Sequence, residues 1–208
     1  MPKPLIVSGT DTGIGKTAAS ALLTLGLGAH YWKPIQSGTD EGTDTATVKA
    51  LTGLPDDRFL PEAYVLKEPL SPHRSAELDG VMIELDRLTL PRVDGPLIVE
   101  GAGGLMVPVT RNLLQIDLFK HWGAPVILCA RTGLGTINHT LLSVEVLRAR
   151  DIALHGLLFI GDDNPDNIRT IAEVSGARIL GRLPWLDQVH ADSLKAIFAE
   201  TFRIGDFA

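Results

Sequence analysis

Residues 5–17 have the sequence LIVSGTDTGIGKT, in which an apolar run leads into a glycine-rich loop that ends in Lys16 and Thr17. Helix-forming residues follow directly. A strand, a glycine-rich loop and a helix in this order wrap nucleotide phosphates, because the glycines let backbone amides approach the anion. There Lys16 reaches the β and γ phosphates, and the Thr17 hydroxyl is a ligand for Mg²⁺. The stretch therefore predicts a nucleoside triphosphate site.

The first glycine of this loop departs from the usual phosphate-loop motif. That motif places a glycine at the position of Thr10, whereas Gly9 lies one residue earlier. The alternative is a glycine-rich turn that carries a surface lysine. The coincidence of strand, glycines, Lys-Thr pair and helix favours the phosphate site.

Short apolar runs alternate with amphipathic segments along the rest of the chain. This pattern predicts one α/β domain over residues 1–208 with a doubly wound, mainly parallel sheet. The loop at 9–17 makes it a fold of the P-loop NTPase type. The predicted strands are 4–8, 29–33, 97–100, 125–130, 154–160 and 178–180, with 63–66 as a further candidate. The predicted helices are 17–27, 45–51, 71–79, 113–122, 137–150, 165–175 and 192–202. Loops that follow such strands meet at one sheet edge, where ligands bind.

Composition excludes several classes of protein. The chain has 208 residues, of which 45% are hydrophobic and 21% charged, so fibrous and disordered proteins are ruled out. Its 19 basic and 25 acidic residues give a net charge of −6, which argues against a nucleic acid or an anionic membrane as partner. The charge-free stretch 18–32 is too short and too polar to span a membrane. The one cysteine, Cys129, lies in an apolar run, and we expect a buried, inert thiol in the cytoplasm.

Two acidic residues are candidates for the metal site, and a third lies near the phosphates. Glu100 ends a buried strand and precedes glycines, so it suits Mg²⁺, although it would also suit the capping of a backbone turn. Asp44 begins a predicted helix and is either a second ligand or an ordinary N-cap. Asp11 lies within the loop, near the phosphates, and would alternatively stabilise the loop through its own backbone.

A lysine also ends the second predicted strand. Lys33 is followed by a proline, and the Ser37 hydroxyl lies four residues later. This arrangement suits an anionic substrate, because Lys33 would stabilise a carboxylate, a carbamate or a transferred phosphoryl group. The alternative is a lysine at the solvated end of its strand.

Several motifs together resemble one family, the dethiobiotin synthetases. They are GTDTGIGKT at 9–17, KPIQSG at 33–38, Asp44, VEGAGG at 99–104, GTINHTLL at 135–142 and LPWL at 183–186. They extend over nearly the whole chain, and the early glycine of the loop is normal for the family. The resemblance implies an enzyme that uses ATP and Mg²⁺ to make dethiobiotin from 7,8-diaminononanoate and CO₂ for biotin biosynthesis.

The resemblance also implies roles for individual residues. Lys16 and Lys33 are the catalytic lysines. The nucleotide-binding residues are Thr10, Asp11, Thr12, Gly13, Ile14, Gly15, Lys16, Thr17, Glu100, Asp162 and Pro184. The metal ligands are Thr17, Asp44 and Glu100. The substrate-binding residues are Thr12, Lys33, Ser37, Gly135, Thr136, Ile137 and Asn138, of which the last four come from the partner subunit of a homodimer.

Two positions depart from the family pattern. Gly13 stands where many relatives have a glutamate, and we expect water to replace that carboxylate. Asp162 stands where relatives that recognise adenine have an asparagine, so we expect relaxed or altered base selectivity.

A switch ATPase like ParA or MinD is the alternative function, since these proteins share the predicted architecture. Such proteins carry a second lysine near the start of the loop, where this chain has Thr10 and Asp11. Membrane-bound members end in a basic amphipathic helix. Here the last predicted helix has Leu194, Ile197, Phe198 and Phe202 on one face, and we expect it to pack on the core.

Overall fold

The computed structural model describes residues 4–40 and 42–207, and within these ranges strands and helices alternate as follows. The strands are β1 (Leu5–Gly9), β2 (His30–Trp32), β3 (Ile35–Ser37), β4 (Phe59–Leu60), β5 (Tyr64–Leu66), β6 (Leu97–Gly104), β7 (Pro108–Thr110), β8 (Leu113–Leu114), β9 (Val126–Arg131), β10 (Leu154–Ile160) and β11 (Ile179–Leu183). The α-helices are α1 (Lys16–Gly26), α2 (Asp44–Thr52), α3 (Pro72–Asp79), α4 (Gln115–Trp122), α5 (Thr136–Ala149), α6 (Pro165–Ser175) and α7 (Ala191–Thr201). Short 3-10 helices cover Asp56–Arg58, Leu85–Leu88 and Ile204–Phe207.

The main sheet has seven strands in the order β11-β10-β9-β1-β6-β2-β4, and each neighbouring pair is parallel. The central strand β1 places Leu5 opposite Ile98 of β6 and Ile6 opposite Val126 of β9. Strands β2, β4 and β6 lie on one side of β1, and β9, β10 and β11 lie on the other. The loop after β1 therefore lies where the strand order changes direction, which is where parallel sheets bind ligands. The predicted doubly wound α/β fold is confirmed.

Hydrophobic clusters fill both faces of this sheet. Val7 belongs to the cluster beneath α1 and α7, whereas its neighbour Ile6 belongs to the one beneath α4, α5 and α6. This alternation follows from the two-residue period of a strand. Leu194 and Phe198 of α7 are buried in the first cluster. The C-terminal helix therefore packs on the core, as the sequence predicts.

Some predicted elements are wrong in place or extent. The candidate strand 63–66 forms as β5, but it pairs with β3 in a separate two-stranded sheet. β3 itself lies in a segment predicted as loop, where the Gly38 amide donates to the Leu66 carbonyl at 2.9 Å. The helix predicted from residue 113 begins at Gln115, because Leu113 and Leu114 pair with β7 instead.

Two other expectations concern burial. The predicted burial of Cys129 is confirmed, and this burial raises the pKa of its thiol to about 12. In the described ranges, no helix combines the length and the apolar character that a membrane crossing requires.

Candidate active site

The glycine-rich loop connects β1 to α1 and depends on backbone conformations that favour glycine. Gly13 has φ +67° and Gly15 has φ +98°, both in the left-handed region. Gly15 is also the N-cap of α1, and a Cβ there would lie 3.1 Å from Ile160 at the end of β10. The loop therefore lies against the end of a second strand of the main sheet.

Packing against Ile14 explains why position 9 of the loop is a glycine. Ile14 turns its side chain into the core, where it is 1% exposed. A Cβ on Gly9 would lie 2.6 Å from Cδ1 of Ile14, so a larger residue at position 9 would displace that side chain. Ile14 can therefore contact a nucleotide only through its backbone.

Lys16 is buried, which excludes the surface-lysine alternative. Its Nζ donates to the carbonyl oxygen of Asp11 at 2.8 Å, and burial and the nearby charge of Lys33 lower its pKa. The Asp11 carboxylate is exposed and accepts the Thr12 amide at 2.7 Å. The hydrogen bonds of Asp11 are thus with Thr12 and Lys16, two residues of the same segment.

Three oxygen-bearing side chains from different elements converge beside the loop. The hydroxyl of Thr17 lies 3.0 Å from Oδ1 of Asp44 and 3.1 Å from Oε1 of Glu100. Thr43, not Asp44, is the N-cap of α2, because its side chain accepts the Ala46 amide. The N-cap alternative for Asp44 is therefore wrong, and its carboxylate is free to face the cluster.

Lys33 joins the two carboxylates. Its Nζ lies 2.6 Å from Oδ2 of Asp44 and 3.0 Å from Oε1 of Glu100, and the lysine is 4% exposed. Burial by itself would lower the pKa of Lys33, but the charges of Glu100 and Asp44 outweigh it and raise the pKa. The same ion pair holds the pKa of Asp44 below its usual value against the effect of burial. Lys33 is a buried cation, so the alternative of a solvated strand end is wrong.

The structure adds residues that sequence reasoning missed. The Tyr31 hydroxyl donates to Oε2 of Glu100 at 3.0 Å. Gln36 accepts the Asp44 amide at 2.9 Å and donates to the Gly38 carbonyl at 3.0 Å, so it ties β3 to the start of α2. The available signal was the presence of polar side chains inside runs that fold as buried strands.

These groups surround a cavity of about 550 Å³. Its lining includes Thr12, Gly13, Gly15, Lys16, Thr17, Lys33, Ser37, Asp44 and Glu100, together with the apolar Pro69, Leu70 and Pro72. Oγ of Ser37 is buried and has no hydrogen-bond partner within the described chain. Two lysines, two carboxylates and an apolar wall suit an anionic reaction centre on a partly apolar substrate.

Other predicted site residues lie outside this cavity. Gly135 to Asn138 form the start of α5, and Asn138 is exposed. Asp162 follows β10 and is exposed, and Pro184 follows β11. Arg131, at the end of β9, donates to the Gly13 carbonyl at 3.0 Å and thus anchors the loop.

Solved structures share this architecture. A putative plasmid partition protein from Borrelia burgdorferi, bound to AMPPNP, has a TM-score of 0.57 at 12% identity, with 95% of this chain and 97% of that chain covered. The MinC:MinD cell division complex from Aquifex aeolicus has a TM-score of 0.55 at 11% identity, with 93% and 85% covered. At such identities the likeness is one of fold.

The sheet, the loop after its central strand and the Lys-Thr pair define a P-loop nucleoside triphosphate-binding protein. A family model described as an AAA domain matches residues 3–193. A protein from Rhodopseudomonas palustris, named ATP-dependent dethiobiotin synthetase BioD, is 58% identical over 207 residues, which cover 100% of this chain and 97% of that protein. One of the same name from Agrobacterium fabrum is 56% identical over 202 residues, which cover 97% and 95%. The chain belongs to the ATP-dependent dethiobiotin synthetase family.

Proposed function

We propose that this chain uses ATP to close the ureido ring of dethiobiotin from 7,8-diaminononanoate and CO₂, with ADP and phosphate as the other products. The observation that carries the proposal is the placement of the phosphate loop and the buried Lys33 cluster on one cavity, in a chain of this family. We place the reaction in cytoplasmic biotin biosynthesis, where a reducing environment suits the thiol of Cys129. The whole chain acts as one domain, since the main sheet draws strands from residue 5 to residue 183.

The reaction has three steps. One substrate amine adds to CO₂ and loses a proton, which gives a carbamate. A carbamate oxygen then takes the γ-phosphoryl group and ADP leaves. The second amine attacks the carbonyl carbon of the mixed anhydride and loses a proton as phosphate is expelled, which closes the ring. Negative charge accumulates throughout, so the protein contributes mainly orientation and charge neutralisation.

The two buried lysines match this demand. Lys16, at the start of α1, neutralises the β and γ phosphates, and Lys33, which lines the same cavity, neutralises the carbamate. Thr12 and the unpartnered hydroxyl of Ser37 hold the substrate amines or the carbamate. The other residues assigned to the nucleotide are Thr10, Asp11, Gly13, Ile14, Gly15, Glu100, Asp162 and Pro184.

Mg²⁺ fits the oxygen cluster of this cavity. Thr17, Asp44 and Glu100 supply one hydroxyl and two carboxylates, which are the hard oxygen ligands that Mg²⁺ prefers. In the described ranges, no group of three His, Cys, Asp or Glu side chains forms a metal site. Phosphate oxygens and water would therefore complete the shell, as is usual for this ion. Bound there, Mg²⁺ supplies positive charge to the phosphates.

A homodimer would complete the substrate site. Leu134 is fully exposed, and Met106 and Leu142 are each about half exposed. The last two line a groove of about 410 Å³ beside Thr10, Asp11 and Thr12. A second copy that covers this apolar surface would bring the segment 135–138 to the cavity, where the N-terminus of α5 attracts the substrate carboxylate.

The first experiment measures acid-stable label in dethiobiotin after incubation with Mg²⁺, labelled bicarbonate, 7,8-diaminononanoate and each of ATP, CTP and GTP. We expect product from the wild-type protein and a loss on the order of 10²-fold or more in Lys16→Ala. Lys195→Ala, on the exposed side of α7, is the matched control and should retain the wild-type rate.

A second measurement separates the enzyme from a switch ATPase. ATP hydrolysis by a dethiobiotin synthetase should depend on 7,8-diaminononanoate, whereas a switch ATPase hydrolyses ATP without it. A folded wild-type protein that binds ATP but forms no product would overturn the proposal.

A further inference from the structure

A buried tyrosine lies directly behind the site. Tyr31 is fully buried in the middle of β2, and parallel pairing places it opposite Ile98 of β6. Side chains two positions apart on a strand share one face, so Glu100 points to the same side of the sheet as Tyr31. The Tyr31 hydroxyl donates to Oε2 of Glu100 at 3.0 Å. Burial and the charge of Glu100 raise the pKa of Tyr31 well above its ordinary value, so the hydroxyl keeps its proton.

The two oxygens of Glu100 have different partners. Oε1 accepts from Lys33 at 3.0 Å and from Thr17 at 3.1 Å, so it is the oxygen of the reaction cluster. Oε2 faces Tyr31, and in the part of the chain that the structure describes no second donor reaches it. The terminal torsion of a glutamate is broad, and a carboxylate held at only one oxygen can rotate. Tyr31 removes this freedom.

We propose that Tyr31 is a positioning residue that aims Oε1 of Glu100 at Thr17 and Lys33. This inference rests on the proposed function, because the orientation of Glu100 matters only where Mg²⁺ and the phosphates meet it. Without the hydroxyl, Oε2 is a buried charged oxygen that lacks a partner, and the carboxylate rotates to recover one. The aromatic ring itself packs edge-on against Phe59 with centroids 6.4 Å apart, and it keeps this contact when only the hydroxyl is removed.

The test is Tyr31→Phe in the full-length protein. We expect kcat to fall about tenfold, in line with the loss of one hydrogen bond to a charged group. The KM for 7,8-diaminononanoate should stay near the wild-type value, and the Mg²⁺ concentration for half-maximal rate should rise. Calorimetry of ATP binding gives a readout apart from turnover. Without Mg²⁺ the variant should bind ATP as the wild type does, whereas the tightening that Mg²⁺ causes should be smaller.

Tyr64→Phe is the matched control. Tyr64 is the other tyrosine of the chain, it is buried, and its hydroxyl accepts the Glu84 amide at 2.8 Å. Tyr64→Phe also removes a tyrosine hydroxyl, but Tyr64 does not line the cavity. This variant should keep the wild-type kcat and Mg²⁺ dependence.

Two outcomes would overturn the role of Tyr31. One is a wild-type kcat and Mg²⁺ dependence in Tyr31→Phe, and the other is an equal loss of ATP binding with and without Mg²⁺, which would indicate general damage to the fold. Absence of dethiobiotin from the wild-type enzyme is a different failure, that of the proposed function. In that case the Mg²⁺ dependence of ATP binding still decides whether Tyr31 orients Glu100.

Discussion

Asp162, which follows the turn that ends β10, is assigned to the nucleotide in the proposed function. Gly161 has φ +131°, and a Cβ there would lie 2.6 Å from the hydroxyl oxygen of Thr132, so this turn requires glycine. The turn places the exposed carboxylate of Asp162 at the end of β10, where Ile160 lies against Gly15 of the phosphate loop. A carboxylate only accepts hydrogen bonds, whereas an amide also donates. Asp162→Asn should therefore raise the preference for ATP over CTP and GTP by about tenfold in kcat/KM.

The labelling assay, run with each nucleotide alone over a range of concentrations, gives kcat/KM for each nucleotide and therefore measures this preference. Asp163→Asn is the control, since it makes the same change one residue further on, where the carboxylate lies 3.6 Å from Arg182. The prediction is contradicted if the wild-type protein and Asp162→Asn prefer ATP equally strongly.

At the residue scale, the sequence predicted the side chains whose chemistry is carried by a local motif. Lys16 and Thr17 follow from the loop, and Glu100 follows from a carboxylate at the end of an apolar strand. The role of Tyr31 could not be predicted, because its partner Glu100 lies 69 positions away. Nothing in the sequence of the strand around Tyr31 indicates a hydrogen bond to that carboxylate. Arg131 is similar, because its contact with the Gly13 carbonyl spans 118 positions.

At the scale of elements, long apolar runs were predictable and short pairings were not. The strand 154–160 and the helix 165–175 have the predicted bounds, since each combines a clear period with a clear end. β4 has only two residues, and it forms because Phe59 and Leu60 pair with β2 at the edge of the sheet. Such a pairing depends on tertiary contacts, which local propensity does not contain.

The contact between α1 and α7 supports a stability prediction. Gly26 ends α1, and a Cβ there would lie 2.2 Å from Cδ2 of Phe198, a buried residue of α7. Gly26→Ala therefore forces this ring or the whole helix to move, and overpacking of this kind costs about 1–3 kcal/mol. The free energy of unfolding, measured in urea, should fall by that amount. The kcat of the folded fraction should not change, because neither residue lines the cavity.

Gly205→Ala is the control for this substitution. It adds the same methyl group in a 3-10 helix, where nothing lies within 4 Å of the new atom. Equal free energies of unfolding for the two variants would show that α1 and α7 are not closely packed at Gly26.

At the scale of the whole molecule, the proposed dimer divides each site between two chains. Lys16 and Lys33 line the cavity of one copy, whereas the segment 135–138 lies outside it. A substitution at Lys16 should then impair the site in its own chain, whereas a substitution in the segment 135–138 should impair the site of the partner chain. In the proposed site, Lys16→Ala removes the lysine assigned to the phosphates, and Asn138→Asp sets a carboxylate against the substrate carboxylate. An acidic residue in the first turn of α5 suits the helix dipole, so the fold should persist.

Mixing the two inactive variants tests this division. Random exchange of subunits makes about half of the dimers mixed. In a mixed dimer, one of the two sites has both an intact Lys16 and an intact Asn138. The mixture should therefore have about a quarter of the wild-type rate. Dethiobiotin formation should therefore rise when Lys16→Ala and Asn138→Asp are mixed, and each variant mixed with itself is the control. A rate no greater than the mean of the separate variants, in a mixture whose subunits do exchange, would place each site within one chain.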